Sequence, residues 1–363
     1  MFSTTVTLLR SQGHDVRTIE RDAARVKGTL AEARADVASL HSRAARLDMQ
    51  RLLRDFRPDV VHLHNLYPLL SPSILEPCRA DGVPIVMSLE DHKLACPTGA
   101  LFRDGKLCRL CLGGHEYRAV LTRCAGGYVG SAALALRTAL PRVRRTFIEK
   151  VNAFIVPSLM LKQFYVTEGY PESRIFHIPN FVETPATAAN PERGSYVAYL
   201  GRISEEKGIA SLLEAAARCG VPLQIAGSGP MASKLREVPM KVRFVGRLSH
   251  REALEFLLDA RCVVVPSLCA ESFGLSGAEA MALGIPVIAS RIGGLPETIP
   301  ADAGLFVPPG DPVALADAMT HMWENPGLAK ALGTAGREFA LREYSKATYA
   351  ARLLSLYRSL YKN

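Results

Sequence analysis

The stretch Pro266-Ser-Leu-Cys-Ala-Glu-Ser-Phe-Gly-Leu-Ser-Gly-Ala-Glu-Ala-Met-Ala-Leu-Gly284 decides how the chain is read. It follows Cys262–Val265, a β-branched run that reads as a buried strand, and it closes in Ala278–Leu283, a run of strong helix formers. Ser267–Ser276 is therefore a strand-to-helix loop, the kind of place where open parallel sheets bind ligands. Glu271 lies in the loop and Glu279 follows it by eight residues. With a helix starting near Ser272, the two carboxylates stand about 12 Å apart along its axis, which suits an extended ligand touched at both ends. Gly274 and Gly277 keep the first turn free of bulk, and the unpaired N–H groups there offer a place to an anion. An acidic first turn is favoured by the helix dipole in any case, so two glutamates alone specify nothing further.

Three upstream segments repeat the pattern. Tyr199-Leu-Gly-Arg-Ile-Ser-Glu-Glu-Lys-Gly208, Ile225-Ala-Gly-Ser-Gly-Pro230 and Phe244-Val-Gly-Arg-Leu248 each close an apolar run of strand length. Together with the paired glutamates they resemble the C-terminal half of retaining glycosyltransferases of family four, which have the GT-B fold, and the resemblance extends over nearly the whole chain. It implies an α/β architecture of two doubly wound, Rossmann-like lobes facing across a cleft. The acceptor lobe takes residues 1–188 with a cysteine-rich insert at 94–126, the nucleotide-sugar lobe takes 189–343, and a C-terminal helix at 344–363 crosses back to the first lobe.

The resemblance also assigns roles. Arg202 and Lys207 are the diphosphate ligands, the first as a fork and the second as a point charge. Glu279 contacts a ribose hydroxyl, Glu271 contacts the sugar hydroxyls or the reacting centre, and Phe273, Gly274 and Leu275 supply backbone N–H groups. Gly227 and Gly229 make a tight turn that ligand or backbone can approach closely, and Arg247 lies where the chain passes the base. The implied reaction is same-face attack with retention, the leaving diphosphate accepting the incoming hydroxyl's proton while Arg202 and Lys207 stabilise its charge. The chain offers no spare pair of carboxylates for a double displacement like that of retaining glycosidases. No Asp-x-Asp motif is present, so no cofactor is expected for the transfer itself.

The first half is less regular. The chain opens on a helical segment that stops at Gly13, without the strand and glycine-rich loop that precede this helix in the resembling enzymes. A first sheet lacking that strand would expose an otherwise central neighbour. Residues 28–57 are rich in Ala and Arg and read as helical, and Asp59-Val-Val-His-Leu-His64 reads as a short strand leading to Asn65. His62 and His64 share one face of that strand. His64 and Asn65 sit at its carboxyl end, as in the family's acceptor-side loop. Glu90-Asp-His-Lys93 follows the next strand and stands where relatives carry His-Asp-Tyr-Lys, so Glu90 replaces the histidine that contacts the transferred sugar and His92 replaces the aromatic. An ionised Glu90 accepts hydrogen bonds from sugar hydroxyls but cannot donate them, and His92 is a second candidate for the lost role.

Cys96, Cys108, Cys111 and Cys124 follow, with one Cys-x-x-Cys pair flanked by returns of eleven and twelve residues. That spacing suits a structural four-thiolate site for zinc or an iron–sulfur cluster, and reduced thiols are the plain alternative. Cys78, Cys219, Cys262 and Cys269 sit singly and read as packing. Tyr128–Lys150 reads as a helix with Ala and Leu on one face and Arg137, Arg142, Arg144, Arg145 and Lys150 on the other, able to rest on an anionic bilayer.

Charge agrees with an anionic partner. Residues 1–190 hold 25 Lys and Arg against 18 Asp and Glu, and the remainder 19 against 17. With 363 residues, 48% of them apolar, the chain can bury a core in each of two domains. No apolar run approaches about 18 residues and no signal pattern opens the chain, so the sequence predicts a cytoplasmic protein, peripheral to the inner face of the membrane. The expected partners are a nucleotide diphosphate sugar and a glycan or lipid-linked acceptor in cell-surface polysaccharide synthesis. An alternative is a pseudoenzyme that binds nucleotide sugar without turnover. Nucleic acid is not expected, because the cysteine segment lacks paired histidines and no aromatic residues interleave with the basic ones.

Overall fold

The computed structural model describes residues 1–21, 39–234 and 241–361. The chain divides into two units, one of Met1–Leu101, Cys108–Ile178 and Ala350–Asn363, the other of Phe102–Leu107 and Pro179–Tyr349.

In the first unit, strands β1 (Val61–His64), β2 (Ile85–Ser88), β5 (Ala153–Val156) and β6 (Ile175–His177) form a parallel sheet in that order; β3 (Phe102–Arg103) and β4 (Lys106–Leu107) form a separate hairpin that groups with the second unit. β2 and β5 are buried at every position, as their unbroken apolar runs require of strands covered on both faces. β1 alternates instead, with Val61 and Leu63 buried and His62 and His64 on the other face. Helix α1 (Phe2–Ser11) precedes the sheet. Helix α2 (Arg43–Phe56) starts on a Ser42 cap and stops at Arg57, left-handed before Pro58, which cannot continue a helix. Its Ala45, Met49 and Leu53 pack into one cluster with Val61, Leu63 and Leu75. Of the helical stretch expected at 28–57, residues 28–38 lie outside the described residues. Among the described residues β1 is an edge strand, and beside it opens a cavity of about 790 Å³ lined among others by Leu9, Val16, Phe56, Val61, Leu354 and Tyr357.

The expected basic helix over residues 128–150 is corrected in two ways. Helix α3 (Tyr128–Val143) ends before Arg145, which is left-handed, and a separate short helix covers Thr146–Lys150. Two of the arginines also turn inward, while Arg144 and Arg145 stay exposed as expected. Arg137 is buried, donating from Nη2 to the Pro97 carbonyl at 2.9 Å with its guanidinium over the Tyr67 ring, and Arg142 forks onto Glu116. Val129, Leu136 and Val143 point to solvent.

In the second unit, β7 (Tyr196–Leu200), β8 (Leu223–Ala226), β9 (Val242–Gly246), β10 (Ala260–Val265), β11 (Val287–Ser290) and β12 (Gly304–Val307) form a parallel sheet in the order β12-β11-β10-β7-β8-β9. The chain enters at the centre, runs outward through β8 and β9, and returns to lay β10 against the other side of β7. The order thus reverses between β7 and β10, the topological switch point at which open α/β sheets leave a crevice beyond the carboxyl ends of their strands. Helices α4 (His250–Leu258) and α5 (Leu275–Ala282) flank this edge. Two apolar clusters fill the faces, one around Val263, Met281 and Val287 and one around Val197, Ile225 and Val264. Helix α6 (Lys346–Tyr361) ends the described chain, and its residues from Ala350 group with the first unit. Among the described residues no helix is long and apolar enough to cross a membrane.

Candidate active site

The second unit builds its site at the switch point. Arg202–Gly208 leaves β7 and Pro266–Gly274 leaves β10, and backbone contacts hold the two loops together. The N–H groups of Leu268 and Cys269 both donate to the Glu206 carbonyl, at 2.9 and 3.2 Å. Gly208 is left-handed at φ 72°, and a methyl there would stand 1.9 Å from the Pro266 oxygen, so no other residue fits the junction.

The same packing brings Lys207 to Glu271. Lys207 Nζ donates to Glu271 Oε1 at 2.5 Å, and Ser267 Oγ donates to the same oxygen at 2.6 Å. Burial alone would lower the Lys207 pKa, but the Glu271 charge and hydrogen bond outweigh it and hold the ammonium above its ordinary value. Glu271 is fixed from behind as well, its carbonyl accepting from Gly294 N–H at 2.7 Å. Helix α5 begins at Leu275, so Glu271 stands on the loop before the helix and not in its first turn. The axial spacing expected for the two glutamates therefore does not apply.

The other candidates fall into place around this pair. Glu279 lies on α5, mostly buried, 3.9 Å from His250 Nδ1; burial raises its carboxyl pKa and His250 works against that rise. Phe273 buries its ring edge-on against Tyr344, leaving only its backbone for a ligand. Gly274 is the left-handed cap of α5, and Leu275 is partly exposed. Arg202 and Arg247 are exposed. Gly227 and Gly229 are small for the sake of backbone, since methyl groups there would stand 1.8 Å from the Gly201 oxygen and 2.2 Å from the Ile203 oxygen. They clamp the β8 turn onto the turn after β7. Ser267 and His250 had no role in the sequence reading. Ser267 lay in the quoted stretch without a distinguishing mark, and His250 meets Glu279 only through the packing of α4 beside α5.

The first unit holds a second polar group at the carboxyl end of β1. His64 Nδ1 meets Glu90 Oε1 at 3.2 Å, and the His62 ring lies 4.2 Å from the His64 ring. His62 bonds from Nδ1 to the Tyr357 hydroxyl at 2.6 Å and from Nε2 to Ser88 Oγ at 2.9 Å, and burial, with His64 nearby, holds its pKa well below 6.5. Burial would raise the Glu90 carboxyl pKa, but the His64 hydrogen bond and nearby positive charge hold it below the usual value. Asn65 is exposed in a left-handed conformation at φ 37°. His92, the second candidate for the sugar contact, is 2% exposed and packs edge-on against Phe164, so its ring lies in the interior.

Cys96, Cys108, Cys111 and Cys124 gather around Cys111, whose thiol is pushed up to about 12 by burial and by the three neighbouring cysteines. All four are free, with Cys124 Sγ 3.1 Å from Thr122 Oγ1 and Cys96 Sγ 3.4 Å from Thr98 Oγ1. Among the described residues no three His, Cys, Asp or Glu side chains are arranged to hold a metal ion.

Comparison with known proteins bears on both units. Residues 4–185 match the family described as Glycosyltransferase Family 4 and residues 182–339 match Glycosyl transferases group 1. The chain is 32% identical over 212 residues to a GDP-mannose-dependent monoacylated alpha-(1-6)-phosphatidylinositol monomannoside mannosyltransferase of Corynebacterium glutamicum, covering 50% of this chain and 56% of that protein. It thus spans little more than half the length of that relative. It is 27% identical over 322 residues to a glycogen synthase of Mycobacterium tuberculosis, covering 84% of this chain and 69% of that protein. Its fold is similar to that of Anabaena Alr3699/HepE in complex with UDP-glucose, with a TM-score of 0.67 at 16% identity over 86% of this chain and 82% of that one. Two parallel-sheet units, a glutamate loop at a switch point and family matches that run end to end along the sequence lead to one assignment: the chain belongs to the family 4 glycosyltransferases of group 1.

Proposed function

We propose that the chain transfers a sugar from a nucleotide diphosphate sugar to a hydroxyl of a glycan or lipid-linked acceptor, with retention at the anomeric carbon, in the synthesis of a cell-surface polysaccharide. The observation that carries this reading is the packing of the Arg202–Gly208 turn against the Glu271 loop at the β7/β10 switch point. A diphosphate seated there meets Arg202 and Lys207, and Glu271 is the group that must release Lys207 as the phosphate arrives. Glu279 takes the ribose, the backbone of Phe273, Gly274 and Leu275 takes phosphate and sugar, Gly227 and Gly229 shape the floor, and Arg247 faces the base. His64, Asn65 and Glu90 take the acceptor side. The leaving diphosphate accepts the acceptor's proton, and the cations stabilise the charge that develops on it. No cofactor enters this step.

A mannosyltransferase of a phosphatidylinositol mannoside among the relatives supports a lipid-linked acceptor. A second reading is a nucleotide-sugar binder without turnover, favoured by Glu90 in the place of the histidine that the resembling enzymes set against the transferred sugar. A melting series with UDP, GDP, ADP and their sugars, run on the wild type and on Glu279→Ala, tests the donor site. A ligand at about 100 times its Kd adds about 2.7 kcal/mol to the stability of the unit that binds it. A nucleotide that raises the melt only in the wild type supports the site, and no response to any nucleotide overturns it. Donor consumption in the presence of acceptor then separates the two readings. Zinc or iron–sulfur binding by Cys96, Cys108, Cys111 and Cys124 is a separate proposal resting on their spacing. One equivalent of metal in the purified chain, abolished by Cys111→Ser, supports it, and metal-free protein overturns it.

A further inference from the structure

Helix α3 carries an apolar face that no described residue of the first unit covers. Its inward positions are Ser131, Ala135, Arg137, Thr138 and Pro141. Val129, Leu136 and Val143 recur every seven residues, close to two helical turns, and so form one line along the outer face, 86%, 49% and 68% exposed. Ala132 is exposed between the first two. The segment before α3 extends the line: Tyr117 and Leu121, one turn apart, are 55% and 70% exposed, and Tyr128 is 56% exposed. Arg123 ties this segment to the helix start, donating to the Tyr128 hydroxyl at 2.9 Å with its guanidinium 4.5 Å from that ring. Of the fifteen large apolar side chains exposed on the described surface, seven lie in residues 110–143: Leu110, Tyr117, Leu121, Tyr128, Val129, Leu136 and Val143. Less than a tenth of the chain thus carries nearly half of them.

The charge around this face is predominantly positive. Residues 109–145 hold seven arginines and no lysine against a single acid, Glu116. Glu116 is buried and already taken by the Arg142 fork, so no carboxylate of this segment reaches the surface. Arg109, Arg123, Arg144 and Arg145 are exposed, with Glu149 3.9 Å from Arg145, and Glu168 reaches the segment by accepting from Gly113 N–H at 3.1 Å.

We propose that the outer face of α3 and the Tyr117–Tyr128 turn dock the protein on an anionic lipid bilayer. Val129, Leu136, Val143 and Leu121 enter the boundary of the acyl region, Tyr117 and Tyr128 lie at headgroup level, and the arginines pair with lipid phosphates. The helix has sixteen residues and its other face is built into the fold, so it lies along the surface and does not span. A second copy is disfavoured as the occupant, because a symmetric pairing would set two arginine-rich patches of net positive charge against each other. The proposal is independent of the donor site and of the transfer reaction.

Sedimentation with phosphatidylcholine vesicles, with and without phosphatidylglycerol, tests it on the full chain. The wild type is expected to sediment with the anionic vesicles, to bind neutral ones weakly, and to be released in part by salt. Val129→Asp combined with Leu136→Asp is expected to reduce binding by at least about tenfold with an unchanged melt, since both positions are outward. Arg144→Gln with Arg145→Gln, both exposed, provides a variant that leaves the apolar line intact and is expected to weaken the salt-sensitive part alone. Absence of sedimentation, sedimentation of all variants to the same extent, or a wild-type dimer that the aspartate variant converts to monomer would each overturn the proposal.

Discussion

Glu271→Gln and Lys207→Met make opposite predictions for nucleotide binding, and that difference in sign tests the donor site. The glutamine keeps the shape of the side chain and an oxygen for Ser267, but it removes the charge that holds Lys207. The pair is mostly withdrawn from water, Lys207 being 29% and Glu271 14% exposed. Its loss therefore lies between that of an exposed pair, up to about 1 kcal/mol, and that of breaking a fully buried one, about 3–5 kcal/mol. A destabilisation of about 2 kcal/mol is expected, or about 4–8 °C in melting temperature for a unit of this size. A diphosphate entering the wild-type site must draw Lys207 away from Glu271, whereas in Glu271→Gln the ammonium is already free. Isothermal titration with UDP or GDP, whichever raises the wild-type melt, is expected to show tighter binding by Glu271→Gln, by up to about tenfold if about 1.4 kcal/mol of pairing is no longer opposed. Lys207→Met is expected to bind more weakly by a similar factor, and both variants are expected to lose transfer. If Glu271→Gln instead weakens the nucleotide as much as Lys207→Met does, Glu271 is orienting Lys207 for the phosphate and not competing with it, and the reasoning fails.

Three further outcomes follow from the geometry. Gly227→Ala places a methyl 1.8 Å from the Gly201 oxygen at φ 147°, so the chemical denaturation midpoint should fall by the equivalent of about 3 kcal/mol or more, and an unchanged midpoint would mean the two turns are not clamped. His62 has a folded pKa below its unfolded value, so its neutral form contributes stability that is complete above about pH 6.5 and is lost as pH falls through the window below it. The wild-type melt should therefore drop from pH 7 to pH 5 by more than that of His62→Asn, and parallel profiles would contradict the assignment. Glu279 has the opposite sign, its folded pKa being raised, so at neutral pH its ionised form opposes folding. Glu279→Gln should raise the melting temperature at neutral pH, lose that advantage as pH falls from the raised folded pKa to about 4.5, and abolish the nucleotide response; a variant less stable than the wild type at neutral pH would show that the carboxylate is stabilised where it lies.

Much of the second unit was legible because its signals are local. Five- and six-residue largely apolar runs, glycines beyond them and strong helix formers after those glycines mark strand, turn and helix from neighbours in the chain alone. The first unit was less legible for the same reason. The segment over 128–150 had the 3.6-residue period of an amphipathic helix, but period does not say which face is turned inward. The sequence suggested that the arginines face water. Arg137 instead finds the Pro97 carbonyl and the Tyr67 ring inside, and Arg142 finds Glu116, partners 40 and 26 residues away. His92 sat in a motif that suggested a site, yet Phe164, on a helix that follows another strand, takes its ring into the interior.

The sequence by itself determined the elements, their order and the family, since those depend on hydrophobic period, glycine placement and short motifs that survive without knowledge of the folded chain. Tertiary structure alone decided which charges meet. Lys207 reaches Glu271 across 64 residues because β10 returns to the side of β7, and His64 reaches Glu90 across 26 because β2 lies in register beside β1. The sheet order that creates those neighbours is fixed by how strands from distant parts of the chain bury their shared faces, and no window of sequence contains that information.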